Sequence, residues 1–353
     1  WLKPHSSWAF EVPPAVFEVP PAAALMALPP LKSASGFVPH PPLPSGLAWQ
    51  VHYTRTEGHF PSTTGRGQLW YGAFWPTSPH PRGILVFIHG VGEHSERYHH
   101  VLAQFAARGF VAAAHDLLGH GRSEGARADI ERLEEYMLDA EKFVSILRGE
   151  VGSKVPVFVW GQSMGGLLAS HLALRDSMRG QADSVLAGAI VTSGAIEVER
   201  NFILSLQEKL APILARLLPT ARIVAAVRPE DMSSDPAEVE RYVKDPLNTI
   251  GNLRVRLALQ VAGGMNELME HAGELRTPLL VLHGTEDRCT HMPGAEKLVQ
   301  LAGAEDKQFV PFQGMYHTML HEPQQQEVAD AMLAFVERLS GGGGGGEHPR
   351  SKL

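Results

Sequence analysis

"VPVFVWGQSMGGLLASHLAL", residues 155–174, decides how this chain is read. It places Ser163 in the pattern G-x-S-x-G, between an apolar run and a helix-compatible one. The pattern alone is weak evidence: about 0.2 matches are expected by chance in a chain this rich in glycine. A second match, "GRSEG" (121–125), centres on Ser123. Context separates the two. A nucleophile elbow needs a strand, a sharp turn and a helix in direct succession, with glycines beside the serine because side chains there would collide. "VPVFVWG" runs straight into Ser163 and "MGGLLASHLAL" straight out of it, so the new helix aims its N-terminal N–H groups at the reacting atoms. Ser123 is held off from the preceding strand by "LLGHG", and Glu124 would set a negative charge beside any oxyanion. Ser163 is the candidate nucleophile; Ser123 reads as a loop residue.

Working outward, strands and helices alternate from residue 57. "GQLWYGAFW" (67–75) alternates like an exposed antiparallel strand, whereas "GILVFIHG" (83–90) is the continuous apolar run of a strand buried on both faces. In "RYHHVLAQFAARG" (97–109), Tyr98, Val101, Leu102, Phe105 and Ala106 form one helical stripe, and Gly109 ends it. Strand "FVAAAHD" (110–116), helix "DIERLEEYMLDAEKFVSILRG" (129–149), the elbow, and strand "VLAGAIVTS" (185–193) follow. The pattern resumes with strand "PLLVLHG" (278–284), helix "GAEKLVQLAG" (294–303), strand "KQFVPF" (307–312) and helix "QQQEVADAMLAFVERL" (324–339). Such alternation predicts an α/β fold, a mostly parallel central sheet with helices on both faces. Residues 195–250 interrupt it. The stretch "NFILSLQEKLAPILARLLPTARIVAAV" (201–227) carries more large apolar residues than one core-facing stripe needs. It reads as a helical cap over the sheet's top edge, either as extra core packing or as a hydrophobic lining for an acyl chain that also rests on a membrane surface.

A serine hydroxyl needs a base, and the base needs a carboxylate to orient it. On this fold the chain order is Ser, Asp or Glu, His, each at a strand's C-terminal end. Asp287 stands just beyond "PLLVLHG", and His317 just beyond "KQFVPF". Glu286 is a rival for the acid, but successive residues leaving a strand point opposite ways. His321 is a rival for the base, set where the last helix begins. For the oxyanion hole, the fold supplies the N–H of Met164 and one from "HGVGEHSERY" (89–98), where Gly90 and Gly92 permit close approach and Val91 is the candidate donor. His171 and Asp176 imitate an acyltransferase H-x-x-x-x-D pattern inside the helix leaving the elbow, and chance explains them better. The pairs His99-His100 and His115/His120 lack a coherent set of metal ligands, no P-loop or dinucleotide fingerprint is present, and Cys289 reads as a packing residue near the site. The chemistry needs no metal or cofactor.

Composition bounds the partners. A net charge of -7 gives no reason to expect nucleic acid. One cysteine forms no intrachain disulfide, which points to a reducing compartment, and no apolar run reaches the ~20 residues of a membrane-spanning helix. Residues 1–46, with the repeat "FEVPPAVFEVPPAA" and "VPHPPLPSG", read as a disordered or polyproline-like leader. Its "AAALMAL", bracketed by prolines and preceded by two glutamates, makes a poor signal peptide, and no Arg precedes Arg55, unlike a transit peptide. The missing initial Met is read as a fragment or a processed start. Residues 341–353 read as a flexible glycine tail ending in Ser351-Lys352-Leu353. That tripeptide is an address read by the peroxisomal import receptor. The expected location is the peroxisome; the alternative is a cytoplasmic protein peripherally attached to membrane.

"HGVGEHSERY", "AHDLLGHGRSEG", "VWGQSMGG", "VLHGTEDRCT" and "GMYHTMLHEP", with "DPL" (245–247), together resemble the monoglyceride lipase family of α/β-hydrolases over roughly residues 55–340. The resemblance implies Ser163 as nucleophile, Asp287 as acid, His317 as base, and Val91 and Met164 at the oxyanion positions. It also sets Gly90, Glu93, Arg97 and His321 near the glycerol end of the substrate. Family members commonly associate with membranes through an apolar cap, here residues 199–227, so contact with a membrane or lipid-droplet surface is expected. The proline leader and the glycine tail depart from the family. The reading is a serine ester hydrolase that releases fatty acid and glycerol from monoacylglycerol. A lysophospholipase or broad carboxylesterase stands next, then an acyltransferase or a non-catalytic binding protein. Epoxide hydrolases and dehalogenases would want Asp at the elbow.

Overall fold

The structure, a computed structural model, describes residues 53–341 apart from 181, 198–215 and 226. The leader, the Ser351-Lys352-Leu353 terminus and most of the apolar cap stretch 199–227 lie outside the described residues. Among the described residues ten strands are formed: β1 (Tyr53–Pro61), β2 (Gln68–Pro76), β3 (Gly83–Ile88), β4 (Phe110–His115), β5 (Val157–Gln162), β6 (Leu186–Thr192), β7 (Arg222–Val224), β8 (Leu253–Arg254), β9 (Leu279–Gly284) and β10 (Lys307–Phe312). The main helices are α1 (His99–Ala107), α2 (Glu134–Val151), α3 (Met164–Met178), α4 (Pro236–Lys244), α5 (Val255–His271), α6 (Met292–Leu301) and α7 (Gln325–Leu339).

Eight strands make one sheet in the order β1-β2-β4-β3-β5-β6-β9-β10. Pairing is parallel from β4 through β10, and β2 alone runs against its neighbours β1 and β4. The continuous apolar runs explain the interior strands. In β3 every residue is buried; Ile84, Val86 and Ile88 enter a core under α2 and α3, while Leu85 and Phe87 enter another under α1 and α7. A strand filled on both faces has no polar side, so period-two alternation vanishes from its sequence. The short β7–β8 pair stands apart from the sheet.

The structure corrects the sequence reading at four elements. Strand "GQLWYGAFW" is antiparallel as expected but is not exposed: Leu69 through Phe74 are buried, because β1 covers its outer edge and helices cover its faces. Strand β1 itself has no clear signature in the sequence; it is an edge strand mostly of half-buried and exposed positions with Gly58 in its middle. Helix α2 begins at Glu134 rather than Asp129, and Leu133 N–H bonds Gln260 Oε1 at 3.0 Å instead of continuing a helix. Helix α5 is the fourth. Gly263 and Gly264 weaken its helical propensity, yet at Gly264 a side chain would strike Leu133, and its carbonyl accepts from His171 Nε2 at 2.8 Å. The glycine leaves room for the Leu133 side chain, while His171 and Leu167 of α3 lie at ordinary contact distance.

The antiparallel pair is fastened to the rest through rings. Phe143 of α2 stacks on Phe60 at 5.2 Å and lies 5.7 Å from Tyr71 and 5.2 Å from His115. A Phe143→Ala substitution is expected to cost about 3–5 kcal/mol in a urea unfolding titration. A loss below about 1 kcal/mol would show that this cluster does not hold β1 and β2 in place.

Candidate active site

Ser163 is the single residue between β5 and α3, and its backbone sits at φ 56, ψ −120. A side chain other than glycine's disfavours that region by about 1–3 kcal/mol, so the surroundings must hold it there. They do so from both sides: Ser163 N–H donates to Thr192 O at 3.0 Å, and Ser163 O accepts from Ala195 N and Gly166 N at 2.9 Å each. The flanking glycines are steric requirements. A Cβ at Gly161 would drive into the Gly165 carbonyl, and one at Gly165 into the Ile88 carbonyl. Gly90 likewise lies against the serine, where an added Cβ would come within 3.0 Å of Ser163 Cβ.

Asp287 follows the end of β9 and His317 follows β10, and they meet: His317 Nδ1 lies 2.9 Å from Asp287 Oδ2, both side chains buried. Glu286 is exposed. Asp287 Oδ1 also accepts from Cys289 N (2.7 Å) and Thr290 N (3.0 Å), and Oδ2 from Thr290 Oγ1 (2.7 Å). Burial alone would push this carboxyl up, but the His317 charge and the hydrogen bonds from His283 and His317 hold it well below the usual carboxylate range. For His317 burial acts downward, and the Asp287 charge and hydrogen bond outweigh it, so the imidazole is a stronger base than usual. Gln162, next to the serine, donates from Nε2 to His317 O at 3.1 Å and thereby ties the histidine loop to the elbow.

The loop after β3 closes the other side. Met164 opens α3, so its N–H has no acceptor within the helix. Val91 is half-buried between Gly90 and Gly92. His89 fixes this loop: Nδ1 donates to Gly90 O at 2.7 Å, and Nε2 accepts Leu117 N–H at 2.9 Å. Both bonds need a neutral ring, which burial and the nearby His120 secure by lowering its pKa well below 6.5.

Glu93, Arg97 and His321, placed by resemblance near the glycerol end, belong to a buried polar network in which Glu93, Arg97 and Glu238 carry charge, while burial and the Arg97 charge push the His321 imidazole well below its usual pKa. Glu93 accepts from Gly90 N (2.7 Å) and Tyr98 OH (3.0 Å) and pairs with Arg97 (3.4 Å). Arg97 reaches Glu238 of α4 at 3.0 Å, and Glu238 also meets Arg241 (2.7 Å) and His321 Nδ1 (3.4 Å). His94 Nε2 adds a 2.9 Å bond to Asp245, and Thr249 N–H donates to Gly92 O at 2.7 Å. The segment carrying α4 is thus latched to the loop that holds Val91. Glu238 and Asp245 were not legible as site residues, since their partners are about 150 positions earlier.

The rival motifs resolve as structural. Ser123 Oγ donates to Asp116 O (2.6 Å) and accepts from Trp70 N (2.9 Å), so both its roles are taken. Asp176 accepts from Ser184 Oγ, Val185 N and Leu186 N, far from any reacting group. Burial and the Asp287 charge push the Cys289 thiol up, which keeps it protonated and a poor nucleophile. Asp287, Cys289 and His317 offer donor atoms within 4.8 Å of one another, a spacing that would suit a metal, but both carboxylate oxygens already carry N–H or O–H donors.

A strained serine between a parallel strand and a helix, with an Asp–His pair on the same rim, defines an α/β-hydrolase of the serine type. The chain matches the family described as "Serine aminopeptidase, S33" over residues 79–324, and it belongs to that family. It is 32% identical over 286 residues to a monoacylglycerol lipase of Mycolicibacterium smegmatis, covering 81% of this chain and 98% of that one. It is 27% identical to the human monoglyceride lipase, over 72% of this chain and 82% of the relative. Among solved structures, the monoacylglycerol lipase of Paleococcus ferrophilus superposes with a TM-score of 0.64 at 26% identity, covering 81% and 99% of the two chains.

Because only the neutral imidazole accepts a proton, raised basicity at His317 sets the acid limb of kcat/KM above pH 6.5, with activity rising through it as pH increases. A pH–rate profile on a soluble ester checks this; a limb at or below 6.5 would contradict the electrostatics described. Gly165→Ala is expected to abolish turnover, read with the same ester, because its Cβ would enter the Ile88 carbonyl.

Proposed function

We propose that this chain is a serine hydrolase that cleaves monoacylglycerol to a free fatty acid and glycerol through an acyl-enzyme. The observation that carries the reading is the 2.9 Å Asp287–His317 bond on the rim where Ser163 stands at φ 56. Relatives named for the same substrate class along nearly their full length support the choice of ester.

In the proposed reaction, Ser163 Oγ attacks the ester carbonyl as His317 Nε2 takes its proton. The carbonyl oxygen becomes an oxyanion received by the N–H groups of Val91 and Met164, each worth about 3–4 kcal/mol in such sites. Collapse returns the proton from His317 to the departing glycerol oxygen. Water, deprotonated by His317, then attacks the acyl-serine, and the fatty acid leaves as Ser163 regains its proton. Asp287 holds the imidazole with Nδ1 protonated and stabilises its charged form.

We also propose contact between the cap and a lipid surface. Among the described residues Leu217, Leu218 and Ile223 are 70%, 51% and 52% exposed, more than isolated core residues would be. Among the described residues no helix is long and apolar enough to cross a membrane. Delivery to the peroxisome is proposed from the terminal Ser351-Lys352-Leu353 alone.

Two experiments test the reading. Ser163→Ala is expected to lower turnover of monoacylglycerol by at least about 10⁴-fold with the fold intact; retained activity would refute the nucleophile. A panel of glycerol monoesters against lysophosphatidylcholine is expected to favour the monoesters, and the reverse order would move the chain to the lysophospholipases. Fluorescent fusions with and without residues 351–353 test the address.

A further inference from the structure

We propose that His283 is a positioning residue for the acid–base pair, sharing Asp287 Oδ2 with His317 and so setting how much of the carboxylate's charge reaches the base. The proposal rests on the triad reading above. His283 is the penultimate residue of β9, completely buried, with Nε2 3.2 Å from Asp287 Oδ2. That oxygen already takes His317 Nδ1 at 2.9 Å and Thr290 Oγ1 at 2.7 Å. The opposite oxygen, Oδ1, is anchored by two backbone N–H groups, those of Cys289 and Thr290. The carboxylate is therefore located without His283, and what the second imidazole adds falls on the oxygen that faces the base.

The ring's own surroundings fix its tautomer. Nδ1 is buried and has no hydrogen-bond partner among the described residues, so a proton there would be an unsatisfied donor. The proton sits on Nε2, which lies 3.2 Å from Asp287 Oδ2 and 3.4 Å from Thr290 Oγ1. Thr290 Oγ1, 3.4 Å from the same Nε2, donates to Asp287 or to Ser193 O at 3.1 Å. An imidazole with one orphan nitrogen stabilises a core less than leucine would, so its contribution lies in the contact with the acid.

Two imidazoles on one oxygen, beside the Thr290 hydroxyl, divide its charge. With His283 present, Asp287 stays ionised yet attracts the charged form of His317 less than it would alone, which keeps the base from becoming too strongly protonated near neutral pH. The titratable groups facing this centre are Glu93 from the loop after β3, Asp287 and Cys289 from the loop after β9, and His317; Asp231 and Arg228 approach through Cys289. None of these changes when His283 is replaced.

The test compares kcat/KM–pH profiles of wild type, His283→Phe and His283→Gln on a soluble short-chain ester. Loss of the donor in His283→Phe is expected to move the acid limb up by about half a pH unit or more, with kcat down roughly 3–10-fold and KM within about twofold. His283→Gln, whose amide restores an N–H donor, is expected to return the limb towards wild type. A limb that stays put or moves down in His283→Phe overturns the proposal, as does a His283→Gln profile that matches it. Should His283→Phe not fold, ¹⁵N-histidine NMR of the wild type decides: Nε2–H on His283 throughout the acid limb supports the role, and Nδ1–H ends it. Normal Ser163-dependent turnover with an unmoved limb would undo this inference alone, whereas Ser163-independent turnover would undo the triad reading beneath it.

Discussion

The left-handed backbone at Ser163 is the constraint around which the molecule is organised. A φ of 56 at a residue with a side chain is unfavourable, and it persists only because the neighbours leave no alternative. Strand β5 delivers the chain fully buried, α3 takes it away at the next residue, and the Ile88 and Gly165 carbonyls come so near that glycine alone fits at 161 and 165. Hydrogen bonds to Thr192 and from Ala195 clamp the peptide units on either side. Strain held in this way sets the serine at the sheet's rim, at the turn between strand and helix.

Around that point, each remaining functional group is fixed by buried polar contacts rather than by apolar packing. The histidine loop is tied to the elbow by Gln162, the loop of Gly90 and Val91 by neutral His89, and the α4 segment by the Glu93–Arg97–Glu238 chain of charges. Buried pairs of this kind gain little net stability over apolar residues, but breaking one partner is costly, so they fix geometry more than they add free energy. Three loops from distant parts of the chain are thereby held in one arrangement before any ester arrives. Preorganised donors at a developing oxyanion need no reorganisation during reaction.

How much of this was legible in the sequence follows from what each feature depends on. The parallel strands and the elbow were, because double burial writes continuous apolar runs and the tight turn demands Gly161 and Gly165. Asp287 and His317 were placed by topology, each just past a strand end, and the structure brings them together. Strand β1 was not, since an edge strand with Gly58 and several half-buried positions carries little pattern. Nor was α5, whose two adjacent glycines look like a break; Gly264 makes room for the Leu133 side chain, and Gly263 faces open space. Glu93 and Arg97 were singled out by motif, but the second ionic partner of Arg97, Glu238 on α4, is 141 positions away, a pairing no local pattern encodes. His283 was hidden for the opposite reason: inside "PLLVLHG" it looks like one more core residue, and only the fold shows which way its ring points.

The measurement that tests the central claim most directly is a crystal structure of the enzyme after reaction with a fluorophosphonate ester. The account predicts phosphorus bonded to the oxygen of residue 163, the phosphoryl oxygen between the amides of residues 91 and 164, and the imidazole of residue 317 facing the adduct. An adduct on another side chain, or an imidazole turned away with its bond to residue 287 broken, would contradict it.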